Sequence, residues 1–225
     1  SKTIVDKKEK PKKTQATIEL DKILTGRPLQ DGEFNFELYE GENKLQTTTN
    51  KSGKITFAPI EYTEEGEHTY TVKEVKGDNA TIAYDASEKQ VTVKVTRDGD
   101  ALKAEVVYPE NKTFTNAFTP NATTATIELT KELTGRDLVD GEFSFELYEG
   151  ANKLQTVTNK SGKVTFDAIS YTAEGEHTYT VKEVKGTTPG ITYDTAEKQV
   201  TVKVTKDGDN LKADVAYPEN KTFSN

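Results

Sequence analysis

Cysteine, methionine and tryptophan are absent from all 225 residues. Without cysteine there is no disulfide, no thiolate zinc site and no cysteine nucleophile. The compartment stays open, because a secreted protein can do without disulfides. Apolar residues are scarce at 32%. Leu, Ile, Val and Phe together make up about 21% of the chain, just above the ~20% below which disorder is expected. Any core is therefore thin for the length. Apolar runs are short as well: three residues, as in Val106-Val107-Tyr108, against the ~20 that span a bilayer. No apolar stretch follows the basic start, so no signal peptide is expected. With no initiator Met, the chain is read as an excerpt of a longer protein. A net charge of −8 argues against a surface for nucleic-acid phosphates.

What is present is a repeat. Residues 16–116 (ATIELDKILTGRPLQDGEFNFELYEG…KTFTN) return at 125–225 (ATIELTKELTGRDLVDGEFSFELYEG…KTFSN) with a gapless offset of 109, and about three quarters of the positions are identical. Solenoid units are ~20–50 residues long, so each copy is a whole domain. Residues 117–124, with Pro120 and Asn121, read as a short linker, and residues 1–15, with six lysines, as a solvated leader. Within the first copy apolar and polar residues alternate over 17–24, 33–39, 44–49, 55–60, 68–75, 90–96, 102–108 and 113–118. Turn residues separate them, among them Lys51-Ser52-Gly53 and Asp98-Gly99-Asp100. No stretch keeps a helical period. The expectation is all-β: two tandem immunoglobulin-like antiparallel β-sandwich domains.

Strict alternation of strand side chains exposes an anomaly. Ile18, Leu20, Lys22 and Leu24 share one face; His68, Tyr70, Val72 and Glu74 share another; Phe114, Asn116 and Phe118 a third. Each repeat thus points a Lys, a Glu and an Asn at its core, as Lys22, Glu74 and Asn116, then Lys131, Glu183 and Asn225. A structural polar cluster would fit the same pattern. Burying an ionised amine and carboxylate nevertheless costs several kcal/mol per ion unless geometry repays it. The chemical reading is that desolvation lowers the lysine pKa and raises that of the carboxyl. Lys22 becomes a neutral nucleophile. A protonated Glu74 hydrogen-bonds the Asn116 carbonyl, polarises it and passes a proton to departing ammonia. The product is a Lys–Asn isopeptide bond, made once per domain.

The segments TIELDKILTGR, DGEFNFELYE, GKITFAPIEYTEEGEHTYTVKEV, IAYD or ITYD, and KTFTN resemble the isopeptide-forming repeats of Gram-positive surface proteins. The resemblance is to the FctA-type pilin linkage domains and related CnaB-like sandwiches, and it covers each full repeat. It implies linking lysines at Lys22 and Lys131, catalytic acids at Glu74 and Glu183, and acceptor asparagines at Asn116 and Asn225. It also implies an extracellular, cell-wall-anchored stalk of an adhesin or pilus, not an enzyme in the multiple-turnover sense. No LPxTG-type sorting signal stands in the sequence, and the second copy has no counterpart of Phe118. Lys112 and Lys221 follow YPEN, a departure from the YPK motif whose lysine cross-links some pilins.

Other signals are weaker. His68 and His177 lack ligand spacing, and Asp98-Gly99-Asp100 lacks the closing glutamate of a calcium loop. Tyr39, Tyr62, Tyr70, Tyr84 and Tyr108 suit strand packing better than a sugar platform. A Thr–Gln ester is disfavoured because Thr17 and Thr126 fall out of phase with the inward face. A ligand-binding adhesin module is the alternative function. An enzyme on outside substrates has no phosphate loop, nucleophile motif or metal cluster to support it. No cofactor and no metal are expected. The expected partners are neighbouring repeats of the parent protein, with a host-surface ligand left unassigned, no nucleic acid, no membrane insertion, and the chain itself monomeric.

Overall fold

A computed structural model describes residues 10–225. Among the described residues every regular element is a strand, and the chain divides into two compact units between Thr119 and Pro120. The first unit holds β1 (Thr14–Ala16), β2 (Glu19–Thr25), β3 (Asn35–Glu40), β4 (Asn43–Lys51), β5 (Lys54–Thr56), β6 (Ile60–Tyr62), β7 (Gly66–Glu74), β8 (Ile82–Ala83), β9 (Glu88–Asp98), β10 (Ala101–Val107) and β11 (Thr113–Phe118).

Nine of these hydrogen-bond in the order β10-β9-β7-β3-β4-β5-β2-β11-β8. The ladder turns over at β4, which pairs with β3 along most of its length and with β5 at Asn50 and Lys51. The two halves thereby face each other, and the Phe36 ring on β3 lies 5.4 Å from that of Phe114 on β11. Inward residues at every second position form one apolar cluster, including Ile18, Leu20, Phe36, Leu38, Tyr70, Val72, Val91 and Val93. Tight turns join neighbours where the sequence places them. Ser52 and Gly53, both at positive φ, close the β4–β5 hairpin, and Gly99-Asp100 closes β9–β10.

The second unit repeats the plan with β12 (Thr123–Ala125), β13 (Glu128–Glu132), β14 (Ser144–Glu149), β15 (Asn152–Thr158), β16 (Lys163–Thr165), β17 (Ile169–Tyr171), β18 (Gly175–Glu183), β19 (Glu197–Asp207), β20 (Asn210–Ala216) and β21 (Thr222–Ser224). A five-stranded sheet, β15-β14-β18-β19-β20, lies over a three-stranded one, β16-β13-β21, with Phe145 and Phe223 5.2 Å apart between them.

Several details differ from the alternation pattern. The run 17–24 is part of a longer inward stripe shared by β1 and β2. Ala16, Ile18 and Leu20 are all buried, but the hydrogen-bond partner changes from β6 to β5 between the two strands. Likewise 55–60 is two strands, β5 and β6, with Pro59 in the gap. Period reports which way side chains point and is blind to the partner. The sandwich is not purely antiparallel either: β2 and β11 are parallel, as are β13 and β21. Period two is the same in both senses.

Both connecting segments also carry more structure than their composition suggests. Thr14 and Gln15 belong to β1, and Lys12 bridges to Ala101; residues 1–9 of the lysine-rich leader lie outside the described residues. In the linker, Ala117 and Phe118 continue β11, Thr123 and Thr124 begin β12, and Asn121 bridges to Asn210. The two bridges are related by the repeat offset of 109, so each module begins near its proline, Pro11 or Pro120.

Candidate cross-link site

The parallel register sets Lys22 beside Phe114 and Leu24 beside Asn116. Lys22 and Asn116 are therefore diagonal neighbours on the inward face, within reach for a long side chain. Glu74, the last residue of β7, comes from the facing sheet, where it pairs with Phe36. All three meet. The Lys22 Nζ donates to Glu74 Oε2 at 2.6 Å, and the Asn116 Nδ2 donates to Glu74 Oε1 at 2.5 Å. The Lys22 and Glu74 side chains are 0% exposed, and so is Asn116 as a whole residue. In the second unit Lys131 Nζ lies 2.8 Å from Glu183 Oε2, and Asn225 Nδ2 lies 2.6 Å from Glu183 Oε1. That ion pair is equally dry.

Aromatic rings enclose the amine. Lys22 Nζ sits 4.5 Å from the Phe34 centroid and 5.7 Å from that of Phe36. The corresponding distances for Lys131 are 4.4 Å to Phe143 and 6.0 Å to Phe145. Burial pushes the Lys22 amine below the ordinary lysine value, with the hydrogen bond and charge of Glu74 opposing it. The Phe34 ring is itself held by a buried amide. Asn50 Oδ1 accepts from the Phe34 N–H at 2.8 Å, while its Nδ2 donates to the Gln30 carbonyl at 2.8 Å. Asn159 does the same for Phe143 and Val139.

The orientation of the acceptor amide differs from the sequence-based expectation. Glu74 meets the Asn116 nitrogen, and the Asn116 carbonyl oxygen accepts instead from the backbone N–H of Asp85 at 2.8 Å. A main-chain N–H can only donate, so it fixes which end of the amide faces which neighbour. Asp194 holds Asn225 in the same way at 2.9 Å. Sequence reasoning assigned no role to Phe34, Asn50 or Asp85, although DGEF and IAYD stood among the recurring segments. For Phe34 and Asp85 the signal is an aromatic or polar residue retained in a loop, which alternation does not weigh, and for Asn50 a buried amide on the largely polar β4.

The remaining candidates fall elsewhere. Thr17 and Thr126 are exposed, out of phase with the inward face. His68 and His177 pair with Glu40 and Glu149 at the sheet margin. Lys112 lies over the Tyr108 ring and near Asp21, and Lys221 over Tyr217. The Tyr62 and Tyr70 hydroxyls bond to each other in the core at 2.9 Å, Tyr108 accepts from the Glu19 N–H, Tyr84 packs edge-on against Phe34, and Tyr39 donates to Glu37. All five tyrosines serve packing or local hydrogen bonds.

The family model for the FctA, Spy0128-like isopeptide-containing domain matches residues 18–119 and again 127–225. Among solved structures, the chain is similar to the major pilin protein (T-13) of Streptococcus pyogenes, at 14% identity over 95% of this chain and 97% of that one, with a TM-score of 0.32. Another Streptococcus pyogenes major pilin is 17% identical over 93% and 97%, with a TM-score of 0.34. The pilus adhesin SpaC from Lactobacillus rhamnosus GG is 14% identical over 91% and 30%, with a TM-score of 0.27. At these TM-scores the structural likenesses carry no argument of their own; the family match does. Comparison with curated proteins gives no match.

Proposed function

Because the chain belongs to the FctA family of Spy0128-like isopeptide-containing domains, twice over, we propose that it is a stalk or spacer module of a Gram-positive surface adhesin or pilus. Each domain joins its own first and last long strands by a Lys–Asn isopeptide bond. The observation that carries this reading is the dry contact of lysine, glutamate and asparagine, made in both units.

The chemistry follows from that contact. Glu74 takes a proton from the Lys22 ammonium, which leaves two neutral groups in a pocket that disfavours charge. The neutral Nζ attacks the Asn116 side-chain carbon. Glu74 then delivers its proton to Nδ2 and takes the surplus proton from Nζ, the C–N bond breaks, and ammonia departs as the amide between Lys22 and Asn116 closes, leaving Glu74 protonated. An unactivated amide is a poor electrophile, and enforced contact in the folded core supplies the missing effective concentration. Lys131, Glu183 and Asn225 act likewise. The reaction is a single turnover on the chain itself.

Mechanical function follows from where the bond sits. A pull that enters at the start of β2 and leaves at the end of β11 would shear two parallel strands past each other. With Lys22 joined to Asn116 the load crosses the covalent link, and the residues between them are shielded. We place the parent protein on the cell surface, with neighbouring repeats as the contacts along the stalk. Intact mass tests the reading. Each bond expels one ammonia, so the chain should weigh about 34 Da less than its sequence, and Lys22→Ala or Lys131→Ala should each lose only about 17 Da. A full sequence mass would refute it.

A further inference from the structure

We propose that the backbone N–H of Asp85 is the oxyanion donor of the cross-linking reaction, and that the Asp85 carboxylate is the group that aims it; Asp194 serves the second domain. This inference rests on the proposed bond formation and adds a residue to it. When the lysine attacks, charge develops on Asn116 Oδ1, and Glu74, hydrogen-bonded to both nitrogens, makes no hydrogen bond to that oxygen. The Asp85 N–H does, at 2.8 Å from the carbonyl oxygen of the unreacted amide, which places it beside the atom where the oxyanion will form.

The donor is held in place before the reaction begins. Asp85 Oδ2 accepts from the Thr115 N–H at 2.9 Å, the residue beside the acceptor asparagine. Its Oδ1 accepts from the Ser87 N–H at 2.9 Å and the Ser87 hydroxyl at 2.6 Å. One carboxylate thus ties its own loop to β11 and leaves its own N–H facing the reacting carbonyl. The second domain repeats the device independently of the serine. Asp194 Oδ2 accepts from the Ser224 N–H at 2.9 Å, Oδ1 accepts from the Ala196 N–H at 2.8 Å, and the Asp194 N–H meets Asn225 Oδ1 at 2.9 Å. A donor already aimed needs no reorganisation as the tetrahedral intermediate forms, and none when it collapses to amide and ammonia.

The test is timed cell-free synthesis of the full chain carrying Lys131→Ala, so that only the first domain matures, with denaturing quenches read by intact mass. Replacing residue 85 by its α-hydroxy acid deletes the N–H and keeps the carboxylate. The rate of the ~17 Da loss should then fall about 100-fold or more, the usual effect of losing one oxyanion donor. Asp85→Ala keeps the N–H but frees its loop, and should slow the reaction about 10-fold, with Asp85→Asn between it and the parent. The same changes made with Lys22→Ala, where no bond forms, report the purely structural effect as a shift in thermal midpoint. The hydroxy-acid chain should fold there with a midpoint close to its parent. Maturation of the folded hydroxy-acid chain at the parent rate would overturn the assignment. If that chain fails to fold, Asp85→Ala decides, and an unchanged rate would overturn it equally. Absence of any mass loss in the parent would instead refute bond formation itself.

Discussion

Lys22 is the residue on which the site turns, and its position was readable because three inward residues of one strand contain it. Its partners needed only the same rule applied to two other strands. The amide orientation did not follow, because it depends on Asp85, a loop residue 31 positions from Asn116 in sequence. The same rule placed Tyr70 inside, and the structure pairs its hydroxyl with that of Tyr62. Burial pushes both phenols above their ordinary value, more strongly for Tyr70. Below a pH of about 10 both states are protonated, and this pair costs nothing. Above it the unfolded tyrosines ionise while the folded ones hold their protons, so stability falls as pH rises. The thermal midpoint of the first domain should drop between about pH 10 and 11, and Tyr62→Phe with Tyr70→Phe should flatten that drop.

Strands account for where the site residues point, while the loop between β2 and β3 accounts for what covers them. Asn50 is fully buried on β4, a strand otherwise half exposed, and it anchors that loop through Phe34 and Gln30. Asn50→Ala leaves a buried N–H and a carbonyl without partners. In a chain that also carries Lys22→Ala, urea midpoints should show the first domain losing about 1–3 kcal/mol. An unchanged midpoint would mean that the loop is held by its other contacts. Alternation foresaw β3, β7, β9, β10 and β11 within a residue or two. It missed β1 and β8, which have three and two residues and carry no period of their own. It also left open that β2 and β11 run in parallel, the feature that brings Lys22 and Asn116 to one face of one ladder.

For each module as a whole, the bond would close a loop of about 95 residues. By the chain-entropy model this removes ~4–5 kcal/mol from the unfolded state, a large share of the ~5–15 kcal/mol of a typical domain. A thin, cysteine-free core gains most from such a link, and reductants do not open it. Glu74→Ala should therefore lower the denaturant midpoint of the first domain sharply while the second unfolds as before. Pulled by its ends, the unmodified chain should show no release of the residues between Lys22 and Asn116 or between Lys131 and Asn225. Full-length extension of either domain at moderate force would contradict the load path proposed above.

The sequence by itself determined the two-module plan, the all-β class and the inward Lys, Glu and Asn. A gapless offset and a period of two are properties of neighbouring residues, and they survive without any knowledge of partners. Tertiary structure alone decided which strands pair, in which sense, and what meets the Asn116 carbonyl. Those contacts join residues far apart in the chain, and local period carries no term for them.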